Sequence, residues 1–355
     1  MYGETPVPDA HVTITIDLLA SDGGAEWDHF VRRAEGWTHF HLAGWRDVMR
    51  SVFDHECLYL TARDAAAPLV GVLPLVRVQS VVFGHYLVSM PFVNHGGPLG
   101  SDLAIRALAH EASQRAAREG VKLLEFRSRR ALPLDFPVSH RKVGVLLDIP
   151  AGEPSVLFQR LDAKLRSQVR KSQKESVVVR FGIEQVEAFF GVFARHMRDL
   201  GTPTQPRSFF SAIARQFPDD VWIAVAYREG APIAAGFGLR WAAEFEITWA
   251  SALRSHARFA PNMGLYWAFL ERCAQEGVRT FNFGRSTPGA GTHKFKLQWG
   301  GRDETLWWYG QSSGKAPAST PSPKVGLFSL GPAIWQRLPL ALANVLGPRV
   351  VRFIP

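Results

Sequence analysis

The stretch FNFGRSTPGAGTHKFKLQWGG, residues 281–301, gathers side chains that can do chemistry. An apolar alternation ends in a turn carrying Gly284, Gly289 and Gly291. His293, Lys294 and Lys296 follow, interleaved with Phe295 and closed by Trp299. Glycines in such a turn let main-chain N–H groups approach a phosphate or a carbonyl closely. Arg285 and Ser286 beside them would contact an anionic substrate, or Arg285 would bridge two parts of the fold. Read as a strand, the segment puts Lys294 and Lys296 on one face and Phe295 on the other. That pattern suits a cationic pair at a reacting centre, and equally a strand edge whose lysines deter aggregation.

These groups need a scaffold. The chain has 355 residues, 46% apolar and 12% aromatic, which excludes global disorder and suits two domains. Cys57 and Cys273 stand far apart without metal-ligand spacing, which fits a reducing compartment and argues against a disulfide framework. His39 and His41 form the one tight histidine pair and lack a third ligand nearby, so no metal is expected. The sequence does not open with a basic segment followed by an apolar run, and no uncharged apolar stretch reaches membrane-spanning length. The expected location is therefore the cytoplasm, with peripheral contact at the inner membrane as an extension of it.

The net charge of +9 is concentrated. Residues 160–180 hold seven Lys/Arg against Asp162 and Glu175. Residues 312–355 hold Lys315, Lys324, Arg337, Arg349 and Arg352 with no acid. Both segments suit an anionic partner, and both would also serve as a solvated helix face and a sticky tail. Lys164, Arg170 and Lys171 would meet tRNA phosphates in a salt-dependent way. Nothing resembles a dedicated nucleic-acid fold, so DNA is not expected as a partner.

The chain repeats itself. EGVKLLEFRS (119–128) resembles EGVRTFNFGRS (276–286), and each follows an amphipathic helix pattern, at 102–118 and 263–275. Upstream, CLYLTARDAAAPLVGVLPLVRV (57–78) parallels VWIAVAYREGAPIAAGFGLRW (221–241). Similarity at this scale implies two copies of a domain. Each copy reads as two helices, an antiparallel meander, a further helix and a strand ending Arg-Ser, giving a twisted mixed sheet flanked by helices.

Leu157, Leu161, Leu165 and Val169 recur every fourth residue, which predicts one helix over 155–175 joining the copies. Composition predicts a flexible linker at 312–324 and an apolar, basic tail at 325–355 with a short helix over 333–346. The tail would pack on the body or lie on an anionic membrane surface.

The run GRSTPGAGTHKFKLQWGG, with PNMGLYWAFLE before it and KLRSQVRKSQKE at the copy junction, resembles the FemAB family. Within that family it is similar to the FemAB-like proteins associated with exosortase (PEP-CTERM) and exopolysaccharide systems. The resemblance covers roughly residues 25–310. It implies an α/β (α+β) fold of two tandem GNAT-like domains, at 12–152 and 153–311, with the acyl-transfer motif in the second. It also implies transfer of an acyl or aminoacyl group to an amine of a small-molecule or lipid-linked cell-envelope precursor. The donor would be acyl-CoA or aminoacyl-tRNA, with no tightly bound cofactor.

By the same resemblance Phe295 and Lys296 lie at the acyl-transfer centre. Lys296 would stabilise the oxyanion or the departing group, a contribution of about 10²–10³ in rate. Phe295 would present its ring to an adenine or an apolar acyl group, a stacking contact worth roughly 1–3 kcal/mol. GNAT enzymes grip pyrophosphate with an Arg/Gln-x-x-Gly-x-Gly/Ala loop at a helix N-terminus. The corresponding RFAPNMG offers Arg258, Asn262 and Gly264 without that spacing, and Asn262 also reads as a helix N-cap. In the first copy THFHLAGWRDVMRSVF and MPFVNHGGPLG match segments lining the acceptor side, making Trp45, Asn94 and His95 candidate contacts, although Trp45 also reads as core. Asn282 stands where relatives often carry aspartate. That departure and the missing pyrophosphate loop leave a second reading, a non-catalytic scaffold that keeps the groove. Glu244, Glu246 and His256 fall near the centre, yet no spacing singles out a general base.

Overall fold

A computed structural model of the chain describes residues 14–64, 68–80, 84–150, 152–312 and 331–354. The linker expected at 312–324 lies outside the described residues except for Ser312, as do residues 325–330 of the tail. Two mixed sheets, each flanked by helices, make up the body.

The first sheet takes β1 (Ile14–Leu18), β2 (Cys57–Asp64), β3 (Leu69–Ser80), β4 (Gly84–Val88), β5 (Leu99–Gly100), β6 (Leu123–Ser128) and β7 (Val138–Ser139). The second takes β8 (Val143–Asp148), β9 (Val178–Phe181), β10 (Val221–Arg228), β11 (Ala231–Trp241), β12 (Glu244–Ala252), β13 (Thr280–Ser286) and β14 (Arg302–Thr305). The last strand, β15 (Trp307–Ser312), returns to the first sheet and lies between β6 and β7. β8 has meanwhile crossed to the second sheet, between β13 and β14. The sheets therefore do not follow a division of the chain into 12–152 and 153–311: each is completed by a strand from the other segment.

The helices are α1 (Gly24–Val31), α2 (Gly44–Phe53), α3 (Asp102–Arg118), α4 (Pro154–Arg160), α5 (Ala163–Lys174), α6 (Val186–Leu200), α7 (Arg207–Gln216), α8 (Pro261–Gln275), α9 (Gly291–Leu297), α10 (Gly331–Gln336) and α11 (Leu340–Val351). Helices α1, α2, α6 and α7 share one aromatic core: Trp27, Phe40 and Trp45 from the first copy meet Phe189, Phe209 and Phe217 from the second. Phe209 and Phe237 are wholly buried there, each worth about 1.5–3 kcal/mol. α3 covers the outer face of the first sheet, and α4, α5 and α8 cover that of the second. Covered on both faces, β2, β3, β10 and β11 are apolar almost without alternation.

The joining segment is not one helix. Leu157, Leu161, Leu165 and Val169 are all buried as their spacing implied, but the chain breaks at Leu161–Asp162. Asp162 caps α5 by accepting the Leu165 N–H at 2.7 Å, and that cap starts a new helix. The tail likewise forms two helices, parted by Pro339 where one was expected.

The repeat is visible in strand register. β4 and β6 run parallel over three pairs ending at Val88 and Glu125, and β12 and β13 over three pairs ending at Glu246 and Asn282. Glu125, Arg127 and Ser128 thus stand where Asn282, Arg285 and Ser286 stand, the second copy carrying Gly284 in addition.

Candidate active site

Glu246 closes the parallel pairing of β12 with β13, and beyond it the two strands part. Its carboxyl is fully buried. On β13, the Asn282 amide donates to Glu244 Oε1 at 2.8 Å and to Glu246 Oε2 at 3.3 Å, while its Oδ1 accepts the Gly284 N–H at 2.8 Å. That local bond bends the strand, and the pairing of β13 with β8 shifts register between Asn282 and Arg285. Gly284 takes φ +68° at the bend, a conformation that glycine adopts without a Cβ penalty.

The bend turns two main-chain carbonyls toward α9. Lys296 Nζ donates to Gly284 O at 3.0 Å and Arg285 O at 2.8 Å. An ammonium has three N–H donors, so two are engaged and one is spare. From the first copy, Asn94 Nδ2 donates to Glu246 Oε1 at 2.7 Å, and His95 Nε2 lies 3.8 Å from Glu246 Oε2. Arg129, just past β6, forks its guanidinium between Glu244 (2.7 and 2.9 Å) and Glu304 of β14 (2.8 to 3.2 Å). This partly buried network ties both sheets together around Glu246.

Burial, and then the charge of Glu244, push the Glu246 pKa up to about 8 against the pull of Arg129, Asn94 and Lys296. Burial takes Lys296 down to about 8, with Glu246 opposing and Arg285 assisting. Burial also holds His95 well below the ordinary imidazole range, so it is neutral. A carboxylate titrating near 8 is matched to accept a proton from an attacking amine, and a buried ammonium with a spare N–H is matched to an oxyanion.

The corresponding opening in the first copy is filled. Arg127 donates to Glu125 at 2.8 Å and to the carbonyls of Val93 (3.0 Å) and Met90 (3.4 Å), and its own carbonyl accepts the Gly96 and Gly97 N–H groups. The loop fixed in this way is the one that delivers Asn94 and His95 to Glu246.

The remaining sequence candidates fall differently. Residues 291–297 are helical, so Lys294 is exposed while Lys296 is buried, and the two do not share a face. The polar turn before them feeds an α-helical repeat, which the alternation read as a strand. Phe295 is half-buried edge-on to Tyr266 at 5.0 Å, part of the second sheet's core. His293 is a fastener: it accepts the Gly289 N–H at 3.1 Å and donates to Asp303 at 2.8 Å. Gly289 has φ +77° in that turn, and Gly291 opens α9. Ser286 is buried; Arg285 is exposed as a residue, but its guanidinium lies 5.4 Å from the Trp308 ring centre, where burial pulls its pKa down to about 10. Arg258 is exposed over Phe259, in the 3₁₀ turn before α8. Asn262 is not the N-cap: Ala260 holds that position in a left-handed conformation, with Pro261 first in the helix. Trp45 is core, donating to His39 and packed on Phe40, Phe209 and Phe217, because α2 turns that face toward α7. Sequence reading left Glu246 among three candidates and missed Arg129 and Glu304. The available signal was the EFE alternation, two carboxylates on one side of an otherwise apolar strand.

Residues 159–297 match the family described as the acetyltransferase (GNAT) domain. No curated protein matches the sequence. Among solved structures the chain resembles FemX, at 13% identity and TM-score 0.61, covering 81% of this chain and 95% of that one. It resembles L-PGS from Bacillus licheniformis at 12% identity and TM-score 0.56, covering 95% and 98%. It also resembles the C-terminal domain of a putative lysylphosphatidylglycerol synthetase from Agrobacterium fabrum at 12% and 0.55, covering 81% and 91%. The matched segment holds β9 to β13, α8 and α9, which carry Glu246, Asn282 and Lys296. Residues 159–297 thus resemble a GNAT-type acetyltransferase domain, set within a two-sheet fold similar to those of FemX and L-PGS.

Proposed function

We propose that this protein is an N-acyltransferase that moves an acyl group from a thioester donor, acyl-CoA in the first instance, to an amine of a cell-envelope or exopolysaccharide precursor. The observation that carries the reading is Glu246, a carboxyl with a raised pKa held where β12 and β13 part, within the electrostatic reach of Lys296. The amine nitrogen attacks the acyl carbonyl, its proton passes to Glu246, the C–S bond breaks and the thiolate leaves. Lys296 offers its third N–H to the oxygen on which charge builds. Arg285, exposed above Trp308, takes an anionic part of a substrate. Asn94 and His95 form the acceptor-side wall, and the FemAB resemblance supplies the envelope precursor and the exosortase setting.

Asn282 speaks for catalysis over the scaffold reading. An aspartate there would add a third carboxylate to Glu244 and Glu246, whereas the amide donates to both. The test is thiol release from acetyl-CoA and longer acyl-CoAs with a panel of amines, wild type beside Glu246→Gln and Lys296→Ala. Amine-dependent release that falls about 10²–10³-fold in either variant is expected. Bulk aminoacyl-tRNA is the parallel arm, and transfer from it alone would make the donor an ester of tRNA. No transfer from any donor would leave the scaffold.

A further inference from the structure

The tail presents a surface that acyl transfer does not use. α11 docks through Ala343, Gly347 and Val351, four residues apart and buried. Arg198 donates to Leu338 O at 2.9 Å and Arg352 to Phe53 O at 2.8 Å, fixing both ends of α11 on the body. A docked surface helix ordinarily turns a polar face outward. Here the outward face of α11 is Ala341, Leu342, Val345 and Arg349. Val345 is 54% exposed and Leu342 43%, with Ile334 of α10 at 62% and Leu200 at the end of α6 at 41%. The cations nearby are Arg337 and Arg349, both exposed, and there is no acid between residues 312 and 355. Asp199, beside Leu200, is paired with Arg198.

We propose that this face, Leu200 with Ile334, Leu342 and Val345 rimmed by Arg337 and Arg349, rests on an anionic lipid bilayer. Aliphatic side chains without acids enter the headgroup boundary, and arginines meet lipid phosphates. Among the described residues no helix is long and apolar enough to cross a membrane, so the contact is superficial. The charge pattern selects the bilayer over a second copy of the chain, since two such faces would bring arginine against arginine. The inference stands apart from the acyl-transfer reading: none of Glu246, Asn282 and Lys296 belongs to this face.

The experiment is co-sedimentation of the full chain with vesicles of phosphatidylcholine alone and of equal parts phosphatidylcholine and phosphatidylglycerol. Binding to the mixed vesicles is expected to exceed that to the neutral ones by about tenfold or more. It should drop about as far with Ile334→Glu/Val345→Glu and with Arg337→Gln/Arg349→Gln, the unfolding temperature being unchanged because all four side chains are exposed. If the glutamates lower that temperature, Ile334→Ser/Val345→Ser replaces them. Equal binding to both vesicle types, binding that survives these changes, or no binding would overturn the proposal. So would sedimentation velocity showing a wild-type dimer that Ile334→Glu/Val345→Glu converts to monomer.

Discussion

Asn94 donates its amide to Glu246 over 2.7 Å, although 152 residues separate them in the chain. The loop carrying Asn94 leaves the first sheet where β4 and β6 part, and Glu246 sits where β12 and β13 part. The two copies meet at corresponding openings, and the first has given its own up to furnish the second.

Removing that amide should show in the pH profile. Asn94 pulls the Glu246 pKa down, so Asn94→Ala lets it rise further. The ascending limb of kcat against pH then moves to higher pH, and the rate at neutral pH falls about tenfold or more. An unmoved limb with a uniformly lower rate would mean that Glu246 is not the proton acceptor.

The wild-type profile should be a narrow bell. On the proposed mechanism transfer needs Glu246 ionised and Lys296 protonated, and both titrate near 8. The ascending and descending limbs therefore belong to the pair and nearly meet. Lys296→Met removes the descending limb while lowering kcat by about 10²–10³. A descending limb retained in that variant points to another group.

Stability should carry the same signature. Glu246 has a folded-state pKa above its unfolded one, so the folded state holds its proton longer as pH rises. Its contribution is whole below the ordinary carboxylate range and is lost as pH climbs through about 8. Glu246→Gln does not titrate. Its unfolding free energy should gain on the wild type between pH 5 and 8, by an amount on the order of 2–4 kcal/mol, and no further above that. Thermal melts across this range decide it, and a constant difference would be the contrary result.

Gly284→Ala tests the bend. The added Cβ meets ordinary contacts at 3.5 Å, so the cost is the left-handed backbone, roughly 1–2 kcal/mol. If the backbone relaxes, the carbonyls holding Lys296 turn away. The expected result is a small drop in unfolding temperature with a disproportionate loss of kcat; equal losses in both would make Gly284 merely structural.

The architecture was legible because periodicity and the two Arg-Ser strand ends are local signals. Leu157, Leu161, Leu165 and Val169 announced a buried face correctly, while Asp162 inside the run ended one helix and capped the next. Lys296 was legible through its glycine turn, yet its face was misread: in a seven-residue helix, strand and helix patterns share too few positions to separate. Glu246 became distinct only once Asn94, Asn282 and Arg129 were brought around it from three other segments. Nothing local in Arg129 says that it will reach Glu304, because that contact depends on β14 lying beside β8.

The placement of β15 also sets a timetable. The first sheet, whose strands β1 to β6 leave the ribosome well before β15, is not closed until Trp307–Ser312 emerges. At about 5–20 residues per second, the edge of β6 then stands bare for on the order of ten to forty seconds. That is long enough for a chaperone to bind it or for a neighbouring nascent chain to pair with it. A chain broken off before β15 would leave β6 permanently open, so incomplete copies of this protein should be sticky as well as inactive.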